Sequence, residues 1–210
     1  MPRIYLFLLL VAAMSLFVFL SSYILVYDGL YYSSLGEQFS YEQIKEMLQQ
    51  GRKYEWLGYV LLPVMLLIKI TFVASCLSIG LFFSANKFEF KKLFGVALEA
   101  EFVFLIPTIL KVLWFAFVQT NYSLKDLQLF YPLSALNFFD AATLQPWWVY
   151  PLQLLNVFEA VYWVVLIKNI NRISPFGTER RAGLGATASY GVGLLLWVAV
   201  VMFISVSYSS

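Results

Sequence analysis

The sequence predicts an all-α polytopic membrane helix bundle. One membrane domain covers residues 1–210 with five transmembrane helices, the N-terminus cytoplasmic and the C-terminus extracytoplasmic. Three observations predict this class. Hydrophobic residues make up 61% of the 210-residue chain and its mean hydropathy is +0.78, whereas soluble domains sit near roughly 45–50% apolar. The apolar residues collect into runs of the roughly 20 residues that a bilayer crossing needs. Lys and Arg fall unevenly between alternate loops, which orients the bundle.

The spans follow in order. Span 1 covers about 4–27. Its apolar run is longer than a cleavable signal segment and no small-residue cleavage site follows, so it reads as an uncleaved first span. Asp28 and Gly29 end it. In the first outer loop, Ser40 and Gln43 have the spacing of a capping box. Ile44, Met47 and Leu48 then repeat at helical spacing and Gly51 sits where a C-terminal cap would. An amphipathic helix over about 41–50 is expected there, resting on the protein or on the membrane surface. Span 2 covers about 56–83 and contains Pro63 and Lys69.

A short loop with Lys87, Lys91 and Lys92 leads into span 3, about 93–118. The interleaved Phe88 and Phe90 suit a surface of anionic headgroups; beside a span, three lysines are a topology signal and not a nucleic-acid patch. Residues 119–146 hold Ser123, placed to cap a short helix, and a stretch after Pro132 too short and polar to span. That stretch fits an interfacial or re-entrant segment packed on protein. Span 4 covers about 147–167 and span 5 about 186–206. Between them lie Lys168, Arg172, Arg180 and Arg181, with a turn at Ser174-Pro175. Gly185, Ser189 and Gly193 keep the small-xxx-small spacing that lets helices approach closely.

With the N-terminus inside, eight Lys and Arg lie on the cytoplasmic side (Arg3, Lys87, Lys91, Lys92, Lys168, Arg172, Arg180, Arg181) and four outside (Lys45, Arg52, Lys53, Lys125). The majority belongs on the cytoplasmic side. In a bacterium the expected location is the inner (plasma) membrane.

Five ionisable residues fall inside spans: Lys69, Glu99, Glu101, Lys111 and Glu159. Each costs on the order of 2.5–3.5 kcal/mol at a helix centre unless paired or hydrated. At ~1.5 Å per residue, Lys69 lies near the midplane, Glu159 about 3 Å and Glu101 about 7 Å to the inner side, and Lys111 about 7 Å to the outer side. Lys69 therefore bridges to Glu101 or Glu159. Lys111 snorkels outward or meets polar atoms of 119–146, and Glu99 turns to the basic inner surface. Gln153, Asn156 and Glu159 form a polar stripe.

The chain has no His and a single cysteine, Cys76. His-based triads, Cys/His metal sites and an intrachain disulfide are thereby excluded. Glu99 and Glu101 point to different helix faces and make no carboxylate dyad. No catalytic, cofactor or metal role is expected, and the chain is expected not to be an enzyme.

Two functions fit. The first is a scaffold or accessory subunit of a membrane complex, its buried charges fixing helix packing or meeting a span of another membrane protein or of a second copy. The second is a small proton- or ion-coupled transporter or permease component that uses Lys69, Glu101 and Glu159. Few spans and no matching halves favour the first.

The lysine-bearing loop KFEFKKLFGVALEAEFVFLIP, with Pro107 in the span it enters, and the later segment with Leu136, Asn137, Phe138 and Leu155 resemble the Yip1-type membrane domain over about 85–205. Glu99, Glu101 and Lys111 depart from that pattern, and the family's cytoplasmic N-terminal domain has no counterpart before span 1. The resemblance implies a non-enzymatic membrane protein. The GTPase role of eukaryotic members is not carried over.

Overall fold

A computed structural model describes residues 2–83, 89–140, 144–173 and 179–209, with side chains at 179–182 and 208–209 outside the description. Lys87 and the side chains of Arg180 and Arg181 lie outside the described residues, as does the turn at Ser174-Pro175. The described residues form nine α-helices and no strand. They are α1 (Arg3–Leu25), α2 (Asp28–Leu35), α3 (Tyr41–Phe83), α4 (Phe90–Glu101), α5 (Leu105–Leu113), α6 (Leu124–Leu129), α7 (Pro146–Leu154), α8 (Val157–Ile173) and α9 (Glu179–Ser209).

Four helices are long and apolar enough to cross a membrane: α1, α3, the continuous helical stretch Phe90–Val118, and α9 over Gly183–Ser207. Large apolar side chains stand exposed along α1, α3 and α9, as expected where lipid and not water covers the surface. The fourth expected span, about 147–167, is not one helix. It is divided between α7 and α8 at Leu155 and Asn156. Asn156 supplies the physical reason, because its side chain takes over backbone bonds at the joint. Its Nδ2 donates to the carbonyls of Gln153 and Leu154, and its Oδ1 accepts the amide of Glu159. The end of α7 and the start of α8 are both satisfied locally.

The amphipathic helix expected over 41–50 does not stop at Gly51. It runs on into span 2 as the single 43-residue α3. Gly51 has open space around it, and a helical glycine costs only about 1 kcal/mol against alanine. The Arg, Lys and Glu that follow are good helix formers and carry the helix through. The capping box is in place: Ser40 N–H donates to Gln43 Oε1 at 2.9 Å and Gln43 N–H to Ser40 Oγ at 3.4 Å. A second box closes α6, where Ser123 and Asp126 exchange bonds.

Span 3 changes winding twice. A 3₁₀ turn, Phe102–Phe104, precedes Pro107, and a π turn, Trp114–Val118, ends the span. Pro107 brings no N–H and crowds the turn before it; tightening that turn to 3₁₀ accommodates the ring without breaking the helix.

The main core joins α3, α4, α8 and α9 through Ile70, Leu77, Leu93, Leu98, Leu166 and Ala186. Helices α3 and α9 touch because Gly80 faces Ala186 and Ser189; a Cβ on Gly80 would fall 2.7 Å from Ala186 Cα. Further along, Gly193 sits under Cys76 and Phe72, and Gly191 under Trp163. A second cluster of Leu25, Leu30, Phe115 and Leu127 packs the far end of α1. There Tyr122 donates to the Leu25 carbonyl at 3.0 Å, and burial pushes its phenol up from the ordinary value, so it stays a donor.

Candidate functional site

Two carboxylates sit in the middle of the bundle. Glu101 ends α4 with its side chain 1% exposed. Lys69 of α3 reaches it at 2.9 Å, and Tyr162 of α8 donates to its other oxygen at 3.1 Å. The 3₁₀ turn carries Phe104 to Lys69, whose Nζ lies 3.8 Å from the ring centroid. A cation over an aromatic ring gains further stabilisation when water is excluded. Of the two carboxylates the sequence offered to Lys69, the structure selects Glu101.

Glu159 lies in the first turn of α8. Its Oε1 accepts from Trp163 Nε1 at 2.9 Å and from Tyr190 OH of α9 at 2.8 Å. The Trp163 contact is a one-turn pairing within α8. The Tyr190 contact depends on the close approach of α9, with Gly191 making room for the Trp163 ring. Aromatic rings link the two carboxylates: Phe104 to Tyr162 at 5.0 Å, Tyr162 to Tyr190 at 5.7 Å and Tyr190 to Trp163 at 5.8 Å between centroids.

The remaining charged residues lie apart from this centre. Glu99 pairs with Arg172 at 2.6 Å on a partly exposed face. Lys111 donates to the carbonyl of Leu127 in α6, within the 119–146 segment. Lys91 and Lys92 are exposed near the start of α4, where Lys92 lies 3.5 Å from Glu89. Of the five charges expected within spans, Lys69 and Glu101 thus pair with each other, Glu99 pairs with Arg172, Lys111 meets a backbone carbonyl, and Glu159 is held by neutral donors.

A cavity of about 640 Å³ opens beside the centre, between α3, α5, α7, α8 and α9. Lys69, Glu159, Gln153, Asn156, Tyr131 and Tyr150 supply its polar groups; Leu62, Leu66, Phe72, Phe104 and Trp197 supply much of its apolar wall. The break between α7 and α8 forms one side. There Ala135 N–H donates to the Leu155 carbonyl at 2.8 Å and Val157 N–H to the Leu133 carbonyl at 3.3 Å, so residues 133–135 pair with the unwound backbone. Leu133 holds a φ of 53° to make this pairing. The segment after Pro132 packs on protein in this way. Among the described residues no three His, Cys, Asp or Glu converge as a metal would need.

Sequence reasoning missed Tyr162, Trp163 and Tyr190 as the donors. Trp163 carried a signal, one helical turn from Glu159. Tyr190 carried a fainter one, a large polar ring amid Ser189, Gly191 and Gly193. Tyr162 carried none, because its partner lies 61 residues away. The stripe of Gln153, Asn156 and Glu159 is split by the break: Gln153 donates to the Leu129 carbonyl at 3.2 Å, Asn156 caps, and Glu159 faces the donors.

Compared with protein-family models, curated proteins and solved structures, the chain matches none of them.

Proposed function

We propose that this chain is a non-enzymatic integral membrane protein that binds a small ligand or ion in its central cavity, a small proton- or ion-coupled permease component. In this reading the broken pair α7–α8 makes a fifth crossing, the N-terminus is cytoplasmic and the C-terminus extracytoplasmic. The single observation that carries it is the helix break at Leu155–Asn156, which opens on a cavity beside the Glu159 carboxylate. Discontinuous helices at mid-membrane are how transporters free backbone and charge for a ligand. Buried carboxylates in spans relay protons or bind cations.

Lys69, Glu99, Glu101 and Lys111 all find partners within the chain, so these charges need no partner span. A second reading, a scaffold or accessory subunit, draws on the first turns of α3, whose Tyr41, Met47, Tyr54 and Trp56 are exposed. The Yip1-type resemblance belongs with either reading, as both are non-enzymatic.

The test is reconstitution in liposomes with a trapped pH-sensitive dye. Wild-type protein should dissipate an imposed pH gradient several-fold faster than Glu159→Gln. Identical traces from the two, together with a stoichiometric partner that co-purifies in mild detergent, would turn the reading to the accessory subunit.

A further inference from the structure

The cavity holds one carboxylate, Glu159, that forms no ion pair among the described residues. Lys69 is engaged by Glu101 at 2.9 Å and Arg172 by Glu99 at 2.6 Å. Lys111 is engaged by a carbonyl. Glu159 lines the cavity and meets two neutral donors, both on Oε1. Its Oε2 takes no hydrogen bond among the described residues. At the cavity and directly behind it, two carboxylates, Glu101 and Glu159, therefore face one lysine, Lys69.

A carboxylate in an apolar interior is stable only when it takes up a proton or meets a positive charge. The walls decide which positive charge fits. Phe72, Phe104, Tyr131, Tyr150, Tyr190 and Trp197 line the space, and aromatic rings attract cations that have shed their water. A divalent ion wants six or more oxygen ligands, and Glu159 is the single carboxylate on this cavity. A volume of about 640 Å³ is far more than a bare ion fills and lies in the range that small organic ligands occupy.

We propose that the cavity is a binding site for a monovalent lipophilic organic cation, its charge beside Glu159 Oε2 and its apolar body against Leu62 and Leu66. The inference rests on the reading of the cavity as a ligand site and adds the class of ligand.

The probe is tetraphenylphosphonium, with tetraphenylborate as its anionic counterpart of the same shape, titrated calorimetrically into the detergent-purified full chain. Saturable binding of the phosphonium is expected, weakened at least tenfold in Glu159→Gln and unchanged in Glu99→Gln. Leu66→Trp, which puts a larger side chain on the cavity wall and leaves Glu159 in place, should also abolish binding, so the test survives a Glu159 variant that does not fold. Equal affinity in wild type and Glu159→Gln overturns the proposal. Preference for the borate overturns the cation class and leaves the cavity a ligand site. A co-purifying phospholipid that the phosphonium does not displace overturns it in favour of a lipid. Binding of neither probe, with no such lipid, overturns both the proposal and the reading on which it rests.

Discussion

At the scale of single residues, the Lys69–Glu101 pair is the contact most sensitive to change. Lys69→Leu leaves a carboxylate, 1% exposed, with Tyr162 as its remaining partner. Leaving a buried carboxylate without its cation is strongly destabilising, and about 3 kcal/mol is expected here. The loss should show as a lower unfolding temperature in detergent. The double variant Lys69→Leu/Glu101→Leu should recover most of it, because no buried charge is then left unpaired. If the single variant unfolded like wild type and lost only proton flux, the pair would be a functional element and not a structural one. Gly80→Leu is the second sensitive change. Its side chain would start 2.7 Å from Ala186 Cα and 2.8 Å from Ser189 Cβ, and overpacking of this kind costs about 1–3 kcal/mol. Depth arithmetic along ideal helices brought Lys69 within reach of two carboxylates. It left the choice open because depth says nothing of the angle around each helix axis. That angle is set by packing, where Ile70 and Leu77 of α3 share a core with Leu93 and Leu98 of α4.

Among elements, the joint between α7 and α8 is the one the hydropathy pattern concealed. Residues 147–167 are largely apolar, with Gln153, Asn156 and Glu159 at helical spacing, so the pattern reads as one helix. The break arises from a single polar side chain, Asn156, and from a partner segment more than 20 residues earlier in the chain. Asn156→Ala removes the bond to the Glu159 amide at 2.8 Å and the cover on two carbonyls. A capping loss of this type costs about 1–2 kcal/mol, and the melting curve should report it. Leu133→Gly is expected to go the other way. A leucine at φ 53° carries strain of roughly 1–2 kcal/mol that glycine does not, and its side chain is exposed, so little packing is lost. A higher unfolding temperature for Leu133→Gly is the outcome to look for. The caps of α3 and α6 were legible because Ser-x-x-Gln and Ser-x-x-Asp act within one turn. The continuation of α3 past Gly51 was hidden because a glycine stops a helix only where the chain then turns away.

For the whole molecule, the crossing number and orientation are open to direct measurement. The one native cysteine, Cys76, is buried, and Cys76→Ala should give a background that does not react with a membrane-impermeant thiol reagent. On it, a cysteine at Lys92 is expected to label from the cytoplasmic side and one at Lys125 from the outside. A reporter fused after Ser210 should behave as extracytoplasmic if α7–α8 crosses; a cytoplasmic signal would mean that it does not. Long α3 carries a further consequence. At ~1.5 Å per residue its 43 residues make a rod of about 65 Å, roughly twice the hydrocarbon core. One end is tied to α2, where Arg52 meets Asp28 at 2.6 Å, and the middle is tied to Glu101 through Lys69. Pro63 lies between the two ties, where it deletes the bond to the Tyr59 carbonyl and gives the rod a joint. Leu62 and Lys69 stand on either side of that joint and both form the cavity wall. A bend of α3 about Pro63 is therefore expected to alter the width of the cavity while the Lys69 anchor stays fixed. Spin labels at Glu55 and Gln153 would register that bend as a change in distance, and Pro63→Ala should suppress it.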